Sequence, residues 1–143
     1  MTTYIVEVEI PAATPASKPV FKEIEIEEDA ITQIIVYIPP GVRGSAMTRL
    51  MYGEYQVFPR PRGQWISGDA AQFTYREVLI LPSKRSKLRV EGISPNATYP
   101  HTITWHITAL PKEIAHLALA LSPLEKFISV LGAIFGVREV WMK

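Results

Sequence analysis

Three histidines, two aspartates and a run of glutamates are the side chains of this 143-residue chain best suited to proton transfer, nucleophile activation or metal binding. His101 and His106 are five apart in a segment that alternates like a strand. An odd separation there sends the side chains to opposite faces, so the two are not expected to share a metal; a turn histidine and a solvent-facing strand histidine are expected instead. Asp29 and Asp69 have no serine or histidine context of the kind that builds a hydrolytic triad. A paired-carboxylate site would have to come from Glu23 to Asp29, a run whose alternation already accounts for it as a solvated strand face. Gly41-Val42-Arg43-Gly44 lacks the lysine and the following helix of a phosphate-binding loop and reads as a turn. With no cysteine there is neither a disulfide framework nor a thiolate metal site. No catalytic residue, cofactor or metal is therefore assigned, and the chain reads as a non-enzyme.

Binding residues are denser than catalytic ones. Arg49, Tyr52, Tyr55, Phe58, Arg60, Arg62 and Trp65 concentrate the aromatic and guanidinium side chains that dominate interface hot spots and stack on sugars. Some of them are needed for a core. Arg49, Tyr52, Tyr55, Arg60, Arg62 and Trp65 are retained as a candidate ligand or partner surface. Asn96-Ala97-Thr98 matches a glycosylation sequon but has no secretory signal to support it. Glu7 and Glu9 interrupt the N-terminal apolar residues, so no signal peptide is read and a cytoplasmic location is the default.

The formal net charge of +1 conceals a division. Residues 1–29 carry seven acids against Lys18 and Lys22, whereas residues 30–92 carry nine bases against four acids. Such a split attracts nucleic acid, pairs acidic with basic strands, or joins neighbouring subunits; nucleic acid is the least favoured of the three. A single asparagine and twelve prolines suit selection for heat resistance.

The elements that must position these residues are strands. Thr3 to Ile10 alternates with Tyr4, Val6, Val8 and Ile10 on one side. Pro11 to Pro19 is proline-rich and reads as an extended linker or arm able to carry strand one to another sheet or subunit. Further strands are expected over Lys22–Glu28, Ile31–Ile38, Ala46–Tyr52 and Tyr55–Phe58, the last two joined by a tight turn at Gly53-Glu54. Gln72–Leu81 reads as one strand, Leu88–Ile93 as another, and Thr102–Thr108 as a central strand burying Ile103, Trp105 and Ile107. Short strands with closely spaced turn signals and no helical period predict an all-β antiparallel sandwich over residues 1–110, jelly-roll-like.

Residues 111–143 differ in kind. Ile114 to Val137 contains only Glu125 and Lys126 as charges, and Ser122-Pro123 is a helix N-cap and first-turn pair. Leu124, Phe127, Ile128, Leu131, Ile134 and Phe135 follow at helical spacing, so the tail is expected to be an apolar helix. Pro123, Glu125 and Lys126 argue against a full membrane span. An apolar helix nevertheless needs a cover, and burial against other copies is the preferred answer, with membrane contact through residues 114–137 as a lesser one.

Ile38-Pro39-Pro40-Gly41, Tyr52-Gly53, Gln56-Val57-Phe58-Pro59, Trp65-Ile66-Ser67-Gly68-Asp69, and Asn96 with Tyr99-Pro100-His101-Thr102 resemble a pattern of small β-sandwich virion accessory proteins of tailed phages and prophages, over residues 30–108. The resemblance implies a virion component, such as a head decoration, minor capsid or tail accessory protein, that binds itself and other virion proteins. It carries no site residues with it. A receptor- or carbohydrate-binding module is the alternative.

Overall fold

The computed structural model describes residues 1–117. Ten strands follow in chain order: β1 (Thr2–Ile10), β2 (Val20–Ile26), β3 (Ala30–Ile38), β4 (Met47–Tyr52), β5 (Tyr55–Phe58), β6 (Ile66–Ser67), β7 (Ala71–Tyr75), β8 (Leu79–Ile80), β9 (Ser86–Ile93) and β10 (His101–Leu110). They form two antiparallel five-stranded sheets. The first has the order β1-β10-β3-β7, with β8 also on β3; the second has the order β2-β9-β4-β5, with β6 also on β4. The predicted all-β sandwich is thus present.

Alternation explains the core. Val6, Val8 and Ile10 of β1 and Ile103, Trp105 and Ile107 of β10 turn inward, against Leu50 of β4 and Leu88 and Val90 of β9 from the second sheet. Burying one such aliphatic side chain is worth about 2 kcal/mol. Trp105 is fully buried, and its indole Nε1 donates to Thr48 Oγ1 across the sandwich at 3.0 Å. Thr48 Oγ1 in turn donates to the Glu91 carbonyl at 2.8 Å. At the other flank the Phe58 ring meets Tyr75 edge-on, 4.5 Å between centroids. Gly92 lets the sheets close where Ile10 crosses, since a Cβ there would lie 2.5 Å from Ile10 Cδ1.

The β4–β5 turn at Gly53-Glu54 forms as expected, with Gly53 at φ 56°, a conformation glycine adopts without strain. One expectation is corrected, one short strand is added and one connection is refined. Gln72–Leu81 is two strands, because Arg76 to Val78 set three residues opposite Thr32 and Gln33 of β3, one more than the ladder accommodates. Ile66–Ser67 is a short strand on β4. The proline-rich segment does carry the chain from β1 of the first sheet to β2 of the second, but tied down rather than as a free arm: Thr14 is buried and bridged to Ser94, Ala13 N donates to the Ala97 carbonyl, and the Ser94 hydroxyl donates to the Pro11 carbonyl. Strand β1 pairs along its whole length with β10 of the same chain.

Residues 112–117 are helical. Asp29, itself buried, accepts from the Lys112 backbone N–H at 2.7 Å and so caps this turn from 83 residues away. The apolar helix expected from Leu124, with Phe127, Ile128, Leu131, Ile134 and Phe135, lies outside the described residues.

Candidate functional site

The outer face of the second sheet gathers the arginines. Register places Phe21 beside Glu91 and Glu91 beside Arg49, with Glu23 beside Arg89 and Glu25 beside Lys87 in the adjoining rows. The acidic N-terminal segment and the basic middle segment therefore meet strand against strand within one chain. Glu91 is buried despite facing outward. Its Oε1 accepts from Arg49 Nε and Nη2, each at 2.9 Å, and its Oε2 lies 3.6 Å from Arg89 Nη2. Each guanidinium also covers a ring: Arg49 stands 4.1 Å over Trp65 and Arg89 stands 5.6 Å over Phe21. Arg49 and Trp65, both candidates from the sequence, are thus brought together, but around a carboxylate the sequence reading did not single out.

Gln56 is another residue missed. Fully buried on β5, its amide donates to the carbonyls of Pro59 and Gln64, and its Oε1 accepts from Gly63 N–H. One side chain thereby holds the whole 59–64 loop. Arg60 donates to the Gln56 carbonyl at 3.0 Å and lies 5.1 Å over the Tyr55 ring. Arg62 is exposed at the tip of that loop.

Five of the six candidates follow one another in contact, Tyr52 opposite Tyr55, Tyr55 under Arg60, Arg60 beside Trp65 and Trp65 under Arg49, but they line two cavities. Tyr52 and Tyr55 sit opposite each other in the hairpin and line an apolar cavity of about 560 Å³ with Val57, Ile80, Leu81 and Pro82. Trp65 and Arg60 line a different cavity of about 370 Å³, shared with Phe73 and Tyr75 of the first sheet. Neither Phe73 nor Tyr75 was singled out from the sequence, because only the pairing of β7 with β3 brings them to this flank.

His101 is buried at the start of β10 rather than in a turn, and His106 faces outward between Ile5 and Ile35, so the two lie on opposite faces. His101 Nε2 lies 3.4 Å from Ser45 Oγ. The Ser45 hydroxyl donates its proton to the Val42 carbonyl, which leaves the imidazole to donate to that oxygen. This is the reverse of nucleophile activation. Asp69 Oδ1 accepts from the Gly41 and Arg43 backbone N–H groups at 2.9 Å and shapes the loop between β3 and β4. Among the described residues no group of three or more His, Asp or Glu side chains is placed to hold a metal, and no helix is long and apolar enough to cross a membrane.

Two other titrating groups meet where β1 passes the end of β2. Tyr4 Oη donates to Glu28 Oε1 at 2.6 Å and accepts from Glu27 N–H at 3.1 Å. Burial, reinforced by that hydrogen bond, raises the Tyr4 hydroxyl above its ordinary value. Burial also pushes the Glu28 carboxyl up, but hydrogen bonds from Thr2 and Tyr4 prevail and hold it below the ordinary value.

No protein-family model matches the chain, and no curated protein matches it. Among solved structures, a chain from Bacillus endospore appendages, described as a family of disulfide-linked pili, is similar at 15% identity over 76% of this chain and 88% of that one, with a TM-score of 0.29. A likeness at that level carries no argument here, and this chain has no cysteine.

Proposed function

We propose that the two sheets form a jelly roll and that the protein is a non-enzymatic building block of a homo-oligomeric assembly. Support for the jelly roll is the strand order: the chain passes from sheet to sheet at each of the first three steps and again at the last two, so that β1 and β3 of the first sheet flank β10 while β2 and β4 of the second flank β9. The non-enzymatic reading rests on the employment of the chemically capable side chains in holding the fold: Asp29 as a cap, Asp69 in a loop, Glu91 between arginines, Ser45 donating to a carbonyl.

One observation carries the assembly reading. Strand β1 is nine residues long, runs without a register shift, and stands at an open sheet edge with Ile5 64% exposed. The edges opposite β1 and β2 are broken into strands of two to five residues, and β2 itself, seven residues long, exposes the charges of Lys22, Glu23 and Glu25. Long unbroken edges are what neighbouring chains pair with, whereas short and interrupted ones are protected. A second copy of the chain is the proposed occupant of the β1 edge. A role as a head-decoration, minor capsid or tail accessory protein of a phage virion, with other virion proteins as partners, is supported by the sequence resemblance alone.

The native mass of the full chain, measured by light scattering after size exclusion, tests this. A multimer is expected, and Ile5→Lys, which puts a charge on the exposed edge, should dissociate it with the β-sheet circular dichroism unchanged. A monomeric wild type at micromolar concentration, or an Ile5→Lys variant of unaltered mass, rules the β1 contact out.

A further inference from the structure

The cavity of about 370 Å³ between the 59–67 segment of the second sheet and β7 of the first is independent of the β1 edge and has a composition of its own. Its apolar wall is Trp65, Phe73 and Tyr75; its polar lining is Arg60, Gln64 and Ser67. The wall is held in place. Trp65 lies under the Arg49 guanidinium, which is fixed by Glu91. Phe73 and Tyr75 are near-parallel at 22°, 6.4 Å between centroids, and Tyr75 is braced edge-on by Phe58. Gly68 backs the Phe73 ring closely: a Cβ there would stand 3.3 Å from two of its carbons.

The lining selects its ligand by elimination. No carboxylate lines the cavity, so an organic cation has no counter-charge even though rings are present. Arg60 already donates to the Gln56 carbonyl and covers Tyr55, leaving part of one guanidinium, a weak anion site. A wholly apolar ligand would strip water from Arg60, Gln64 and Ser67 without replacing its hydrogen bonds. A pyranose meets all three conditions: its axial C–H groups, made slightly positive by neighbouring oxygens, pack on the negative faces of aromatic rings, while its hydroxyls exchange hydrogen bonds with the polar lining. The site is a shallow, solvent-open cleft that can cover one face of a single ring, and a pre-held wall lowers the ordering cost of binding. We propose that this cavity is a binding site for a neutral hexopyranose unit, free or at the end of a glycan.

Saturation-transfer NMR on the full chain with D-glucose, D-galactose, D-mannose and N-acetyl-D-glucosamine, beside choline and phenol as controls, tests the assignment. At least one hexose should receive saturation at its ring C–H protons, with a Kd on the order of 1 mM for a ligand of that size. Ser67→Arg, at an exposed position on β6, should fill the cavity and weaken binding at least tenfold with circular dichroism unchanged. Phe73→Ala should weaken it similarly, and Ile80→Ala, on the neighbouring apolar cavity, should not. Absence of transfer to every hexose, tighter binding of choline or phenol, or hexose binding that survives Ser67→Arg overturns the proposal. Because none of these variants touches β1, the outcome is separable from that of the mass measurement.

Discussion

Glu91 is an acid on the solvent side of a sheet that solvent scarcely reaches, and its neighbours explain it better than its own type does. Replacing it by glutamine keeps the shape but leaves Arg49 and Arg89 facing a neutral amide in a largely desolvated place. A loss of about 2 kcal/mol is expected, below that of a fully buried pair because both arginines keep some water contact, and urea unfolding measures it. Tyr4 and Glu28 supply a pH dependence. The Glu28 carboxyl is held below its ordinary value, so its contribution is present above that value and drains as pH falls through the depressed one. The Tyr4 hydroxyl is raised above 10.0, so its contribution holds below that pH and is lost as pH climbs through the raised value. Tyr4→Phe should cost about 1 kcal/mol at neutrality, and thermal melts should show its gap to wild type narrowing in both acid and alkali. At this scale the sequence reveals types, not partners. Arg49 and Trp65 stand out by type, yet Glu91, Phe73 and Tyr75 acquire their importance only from register, which no spacing within a single strand records, and Gln56 acquires its own from the fold of the loop that follows it.

Strands whose two faces meet different solvents declare themselves. β1 and β10 follow their alternation, since inward valines and isoleucines oppose outward threonines and glutamates, whereas β3 is marked by a longer β-branched run that stops at Pro39-Pro40. The break between β7 and β8 was illegible for the opposite reason: it arises from one surplus residue against β3, a property of the pair rather than of the segment. Likewise proline content correctly marks 11–19 as neither helix nor ladder, but says nothing of Thr14 and Ser94, whose hydrogen bonds tie it down. Gly92 belongs to this scale because it sets how closely β1 and β9 approach. Gly92→Ala should destabilise by about 2 kcal/mol through the clash with Ile10, and Ile10→Ala, which removes both carbons it meets, should cost less in the Gly92→Ala background than in the wild type when the two are compared by denaturant titration.

For the molecule as a whole, the charge division visible in the sequence is answered inside one chain, where β2 lies on β9 with Glu23 beside Arg89 and Glu25 beside Lys87. A long-range attraction for nucleic acid or a neighbour is not needed to account for it. The core of the described sandwich is built from residues before the apolar tail, and ending the chain after Leu117 keeps the Lys112 cap on Asp29, so residues 1–117 should retain the β-sheet component of the far-ultraviolet spectrum and melt within a few degrees of the full chain. If the tail joins copies, only the native mass should fall. The strand order has one more consequence, and it concerns time. β4–β5 is the sole pairing of sequence-consecutive strands among the described residues, while β1 must wait for β10, with Thr2 opposite Ala109, and β2 for β9. Neither sheet can be completed before its own last strand arrives, β10 in the first and β9 in the second, so the loop-closure entropy falls due before most pairings reward it, and refolding should take milliseconds to seconds rather than microseconds. During synthesis the chain emerges with its first strand already exposed and its partner almost a hundred residues behind, and that interval is when an unpaired β1 is most open to pairing with another chain.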